Sequence, residues 1–227
     1  MTAVSTYSVR LVDCARTRQG KEQGGLGTHA SGVCMLLKKW YTSVCQKASS
    51  GNQVWNADVQ WQAVPSSAPA GESAGAALTV NLILFFIPIP RDSVILSHPN
   101  YSNGFTLPSV MDHSLGGVTV VGGTRSGNQR TPTLGISEIY VDRLQERNAA
   151  ETPLTIARLA FHEGMHNQLD TWNNNLHAQG GFAAAIPVGT DPTIANINAM
   201  AARIGTLVPQ WTGGFQAWLD WDKNRPR

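Results

Sequence analysis

Cysteine is scarce in this chain and badly spaced for a disulfide framework. Three occur in 227 residues, Cys14, Cys34 and Cys45, all in the first fifth of the sequence. At most one bridge could form and one thiol would be left over. No C-x-x-C pair is present, which excludes the zinc ribbons and thioredoxin-like redox motifs that depend on one. The three thiols therefore read as free, with a small metal site shared with His29 as the alternative. Charge is equally thin, at 14% of residues with a formal net charge of +2. Arg16, Arg18 and Lys21 form only a mild basic patch, so the footprint of a nucleic-acid-binding protein is missing, as is any acidic tail. Long apolar runs are also absent. The most hydrophobic stretch, Leu82 to Ile87, is closed by Pro88 and Pro90 and is too short to span a bilayer, so it reads as a core strand. The first residues have no basic start followed by an apolar run, so no secretory leader is expected. On this reading the protein resides in the cytoplasm, and any action outside the cell would need a leaderless route or a partner. No internal repeat or low-complexity tract occurs. One further absence matters below: no glutamate follows Glu163.

What is present suffices for a folded core. A hydrophobic content of 42% over 227 residues supports a single domain spanning 1–227. Residues 16–32 are rich in Gly, Gln and charge and read as a mobile loop, which leaves 1–32 partly flexible. A helix is expected from Gly32 to Lys47. Strands are expected at Val54 to Val64, Leu78 to Ile87, Gly117 to Val121 and Gly135 to Asp142, the last alternating apolar and polar residues as a half-buried strand does. Pro65 to Gly75 reads as a loop, and His98 and His113 sit in loop-like sequence. Past residue 190, Ile194, Ile197, Met200, Ala201, Ile204 and Leu207 recur at helical spacing. Trp211, Phe215, Trp218 and Trp221 follow, an aromatic stripe that either anchors a C-terminal helix or cradles a ligand.

The densest chemistry lies at His162-Glu163-Gly164-Met165-His166, an H-E-x-x-H run. With six His and six Glu in the chain, random placement yields such a match in about one of a few hundred chains of this composition. Chance is thus a poor explanation, and the flanks supply the helix that the motif needs. Thr152 is suited to the N-cap and Pro153 to the first helical position. Beyond them Leu154, Ile156, Ala157, Leu159, Ala160, Phe161, Met165 and Leu169 cover more than one face, the pattern of a buried helix. That helix is expected to run out between Trp172 and Asn175, where consecutive Asn residues compete for backbone hydrogen bonds. Two imidazoles four residues apart share one helical face and can reach one metal ion. The glutamate between them then lies beside a metal-bound water as a candidate general base.

A third ligand has to come from outside the motif turn. His177, eleven residues after His166 and just ahead of Gly180-Gly181, can swing back under the helix and is the favoured choice. Asp170 is a rival on the same helical stripe, but it lies about 12 Å of helix rise from His162 and reads better as a group that orients an imidazole.

Residues 162–166 resemble the active-site helix of the zincin metallopeptidases. The resemblance implies a zinc ion (Zn2+) held by His162 and His166, with Glu163 as the catalytic residue. It also implies an α+β fold in which a mixed sheet packs on a buried active-site helix and a helical part follows. The branch stays open. The thermolysin-like branch needs a downstream glutamate, which is missing. The metzincin branch needs Gly where Leu169 stands and His or Asp where Trp172 stands. The aspzincin branch uses a downstream aspartate, for which Asp191 is the match. In zincins a strand near this helix usually lines the cleft and pairs with an extended substrate. Here Gly135 to Asp142 is the expected strand, either pairing by edge addition or serving as ordinary sheet. Tyr140 on it either stabilises an oxyanion or packs.

The implied activity is a zinc-dependent metallopeptidase acting on a peptide or protein substrate. Glu163 would take a proton from zinc-bound water and deliver it to the leaving amine. The alternatives are a non-enzymatic interaction domain with a structural or vestigial motif, and a zinc hydrolase of non-peptide bonds.

Overall fold

Tyr7, Val9 and Leu11 alternate with Ser8 and Arg10 along the first strand, β1 (Ala3–Asp13), and all three are buried. That period of two gives the strand one face for the core. The computed structural model describes residues 2–13, 26–62, 81–87, 117–126, 129–141, 152–169 and 174–204. Within them β1 is followed by α1 (Ala30–Ala48), β2 (Gln53–Gln62), β3 (Leu82–Ile87), β4 (Gly117–Ser126) and β5 (Gln129–Tyr140). Then come α2 (Pro153–Leu169), α3 (Asn174–His177) and α4 (Ile194–Ala201).

The strands form one mixed sheet in the order β2-β1-β3-β5-β4. β2, β1, β3 and β5 are mutually parallel, whereas β4 runs antiparallel to β5. Parallel neighbours cannot be joined by a tight turn, and α1 carries the chain from β1 across to β2. β4 and β5 pair from Gly117↔Ile139 to Ser126↔Gln129, with a register shift between Gly122 and Gly123. Asn81 starts β3 by bonding Ser8 twice. Its Oδ1 accepts from Ser8 N at 2.7 Å and its own N–H donates to Ser8 O at 2.9 Å.

α1 buries Val33, Leu37, Trp40, Tyr41, Val44 and Cys45, one stripe at helical spacing, and packs along β2, α2 and α4. α2 is different, with Ile156, Ala157 and every residue from Leu159 to Leu169 except His166 buried. It packs against β3, β5 and β4 as well as α1. Thr152 holds its start, its Oγ1 accepting from Thr155 N at 3.2 Å. Between sheet and helices lies an aromatic cluster. Trp40 meets Phe182 at a ring-centroid distance of 4.7 Å, and Tyr41 meets Phe161 at 5.2 Å.

The fold is thus mixed α and β, with the motif helix buried against the sheet. Several expectations need correction. The loop expected at 16–32 ends sooner than read, since Gly27–His29 forms a tight turn that leads into α1 at Ala30, while β1 ahead of it is an interior strand, paired on both sides. Of the two roles open to Gly135 to Asp142, the ordinary sheet strand holds over Ser137 to Ile139, where β3 and β4 flank β5 and leave no edge for a substrate. β5 also starts earlier than expected, at Gln129, because the hairpin ladder with β4 extends both strands. The Asn run does not end as a plain turn, since Asn174 and Asn175 enter α3, beside buried Leu176. α4 ends at Ala201 and continues as turn to Ile204. The expectations at Cys14, 65–75, His98, His113, Asp170 and 205–227 lie outside the described residues. Cys34 and Cys45 are free thiols. Among the described residues, no helix is long and apolar enough to cross a membrane.

Candidate metal centre

His162 and His166 stand on successive turns of α2, and their Nε2 atoms approach to 3.1 Å. α3 brings in the third imidazole, with His177 Nε2 3.2 Å from His166 Nε2. The rings of His162 and His177 lie 5.4 Å apart between centroids and nearly parallel, with His166 edge-on to both. The ligand atoms of all three lie within 4.8 Å of one another. Nitrogens held by a tetrahedral zinc at 2.0–2.1 Å would be about 3.3–3.4 Å apart. The two contacts at 3.1 and 3.2 Å therefore suit such an ion.

The tautomers sharpen the fit. His162 Nδ1 lies 2.8 Å from the carbonyl oxygen of Phe182. A carbonyl only accepts, so Nδ1 carries the proton and Nε2 presents a lone pair to the cluster. His166 Nε2 then faces two nitrogens, and one proton cannot point at both. A cation drawing on three lone pairs resolves that conflict. His162 is only 5% exposed. Burial, reinforced by the neighbouring His166, pushes its pKa down to about 3, against the opposing hydrogen bond to Phe182. The neutral ring is the form that binds a metal.

Glu163 is buried and follows His162 directly in α2. On an ideal helix it is rotated about 60° from His166, so it flanks the histidine pair. Its backbone carbonyl accepts from Ser137 Oγ at 3.2 Å, and Asn167 Nδ2 donates to the same hydroxyl at 3.3 Å. Ser137 is a fully buried serine on β5 that ties the middle of α2 to the sheet. Gly164 is required by packing, since a Cβ there would overlap Tyr41 Oη and come within 3.2 Å of Leu82 Cδ2.

Of the expected site residues, His162, His166 and His177 converge, and Glu163 lies buried on α2 between the first two. Asp191 does not join them. Its Oδ1 accepts from Lys39 Nζ at 2.6 Å and from Trp40 Nε1 at 2.8 Å, which fastens the loop before α4 to α1 and removes it from the choice of third ligand. Tyr140 ends the β5 ladder opposite Ile87, and its side chain lies outside the described residues. Among the described residues, one group of three metal-ligating side chains converges, and it is the three histidines. Reading by motif missed Ser137, Phe182 and Asn196. The carbonyl of Phe182 leaves no trace in residue type. Asn196 had one available signal, a Thr193-x-x-Asn196 spacing that suits a helix N-terminus. No protein-family model matches the chain, and no curated protein and no solved structure matches it.

Proposed function

We propose that this protein is a zincin-like, zinc-dependent metallopeptidase with His162, His166 and His177 as metal ligands and Glu163 as general base. The observation that carries the proposal is the convergence of His177 Nε2, from outside the motif, on the two motif imidazoles. A helix alone explains why His162 and His166 are neighbours. It does not explain why a separate element delivers a third imidazole to the same point.

Zinc in this site would supply Lewis acidity, making water more acidic and polarising a carbonyl. The protein's own residues do the rest. His162 presents a fixed lone pair because Phe182 holds its other nitrogen. Glu163 takes the proton of the attacking water and delivers it to the departing amine. Three protein ligands, the number that converges among the described residues, would leave a coordination position for substrate or water, the pattern of catalytic rather than closed structural zinc sites. This favours a hydrolase over an interaction domain. The mixed sheet backing a buried motif helix also agrees with a zincin-like arrangement.

β4 takes the cleft-side role that β5 cannot. It packs near α2, and among the described residues it is paired on one side only. An extended peptide would add to its open edge through main-chain hydrogen bonds. Elemental analysis of the parent, His166→Ala and His177→Ala tests the metal reading. The expected result is one zinc per chain in the parent, lost in both variants. A parent without stoichiometric zinc after reconstitution, or His177→Ala retaining it, would overturn the three-histidine assignment.

A further inference from the structure

The turn Gly181–Ala183 does two things for the metal centre. Its Phe182 carbonyl holds the His162 ring. It also follows directly on the segment carrying His177, whose own carbonyl accepts from Gly180 N at 3.3 Å. The turn contains two successive residues of positive φ, Gly180 at 68° and Gly181 at 60°. Glycine adopts such backbone readily, and the turn is closed by its own bonds, from Ala183 N to Gly180 O and from Val188 N to Gly181 O, both at 3.1 Å. Its position against α4 is a separate matter, and a side chain from that helix can fix it.

Asn196 does so. It lies in the first turn of α4 and is completely buried. Its Oδ1 accepts from Phe182 N at 3.0 Å and from Thr193 N at 3.2 Å, while its Nδ2 donates to Gly180 O at 3.3 Å. One amide side chain therefore grips the turn on both sides of Gly181. The fit is close, since a Cβ at Gly181 would come within 2.9 Å of Asn196 Oδ1. The Phe182 ring, packed edge-on to Trp40 and Phe161, secures the other side of the turn.

We propose that Asn196 is a positioning residue of the metal centre, setting His162 through the Phe182 carbonyl and His177 through Gly180. This rests on the three-histidine zinc reading above. Groups that orient a metal-binding histidine typically change metal affinity by about 10- to 100-fold when removed. A purely structural Asn196 would instead act as a helix cap and leave affinity alone. Thr193 and Asn196 cap this helix reciprocally, with Thr193 Oγ1 accepting from Asn196 N at 3.2 Å, so removing the Thr193 hydroxyl weakens the cap while leaving the bonds of Asn196 to Phe182 and Gly180 in place.

The experiment is zinc affinity by competition with a chromophoric chelator, alongside urea unfolding of the zinc-free proteins. It compares the parent, Asn196→Ala, Asn196→Asp and Thr193→Ala. Asn196→Ala is expected to weaken zinc about 10- to 100-fold. Asn196→Asp, which keeps the acceptor and loses the donor to Gly180, falls between it and the parent. Thr193→Ala lowers zinc-free stability and leaves affinity unchanged. The visible spectrum of the cobalt(II)-loaded proteins should shift in Asn196→Ala and not in Thr193→Ala. Parent-like affinity and spectrum in Asn196→Ala would overturn the inference while the zinc reading stands. If Asn196→Ala does not fold, parent-like behaviour of Asn196→Asp overturns it equally. A parent that binds no zinc would remove the zinc reading first and this inference with it.

Discussion

Tyr41 presses its hydroxyl against Gly164, the central residue of the H-E-x-x-H turn, so closely that a Cβ at 164 would overlap it. The hydroxyl is fully buried and has no hydrogen-bond partner among the described residues. Packing of α1 on α2, rather than metal chemistry, thus dictates the glycine between the two histidines.

Gly164→Ala therefore has two opposing effects. Alanine favours a helix interior by about 1 kcal/mol over glycine. Overpacking typically costs about 1–3 kcal/mol. The overlap with a buried ring that cannot swing away should win, giving net destabilisation in urea unfolding. Tyr41→Phe removes an unpartnered hydroxyl and should be neutral or stabilising alone. In the double variant the loss at Gly164 should shrink, with a coupling above about 0.5 kcal/mol. Additive effects would mean that the two residues do not touch.

Glu163→Gln tests the base directly. The amide is nearly isosteric with the carboxylate and cannot take a proton, so zinc content should match the parent. Turnover of a peptide-library substrate should fall by about 100- to 10,000-fold, the usual contribution of a positioned acid–base group. His162→Ala should lose zinc as well as activity. A Glu163→Gln protein that cleaves at the parent rate would remove Glu163 from the mechanism.

The site was easier to read in the sequence than the sheet around it. Thr152-Pro153 and the all-round apolar pattern after it mark α2, because capping and burial both act through residue type. The pairing of His162 with His166 follows from helix geometry alone. His177 was legible only as a nearby imidazole past a turn. β1 was not legible. Its residues 3–8 are mostly small or polar, and the inward set Tyr7, Val9 and Leu11 is short, so its central place comes from pairing with β2 and β3. The choice left open for β5, between an edge and an interior place, has the same origin. Alternation shows which face of a strand is buried and says nothing about its neighbours. Ser137, Phe182 and Asn196 act through backbone groups of other residues, and no motif carries that information.

Asp191→Asn separates the competing third ligands. Asp191 is bound by Lys39 and Trp40, and those two hydrogen bonds hold its carboxyl below the ordinary carboxylate range. The variant should keep its zinc. A carboxyl lowered in the folded state stabilises the protein above its unfolded pKa and loses that contribution as pH falls through the folded one. Asp191→Asn should thus show a slightly smaller loss of stability on acidification. The effect should be small and salt-sensitive because the pair with Lys39 is solvent-exposed, at 60% and 50%. Loss of zinc in Asp191→Asn would reopen the choice of ligand.

His162 gives the zinc-free protein a pH dependence with a definite sign. Its pKa drops from 6.5 to about 3 on folding, chiefly by burial and then by His166. Between those values the unfolded chain binds a proton at this residue and the folded chain does not. Stability should therefore decline as pH falls from 6.5 toward 3, by at most about 1.4 kcal/mol per pH unit from this group. Above 6.5 the ring contributes no slope. Urea unfolding of chelator-treated protein at pH 7.5, 6, 5 and 4 measures the decline. His162→Gln, which has no proton to gain in this range, should flatten it by that share. Equal slopes in parent and variant would show that the folded protein lets His162 take up a proton, and that its ring is not held neutral by burial and the Phe182 carbonyl.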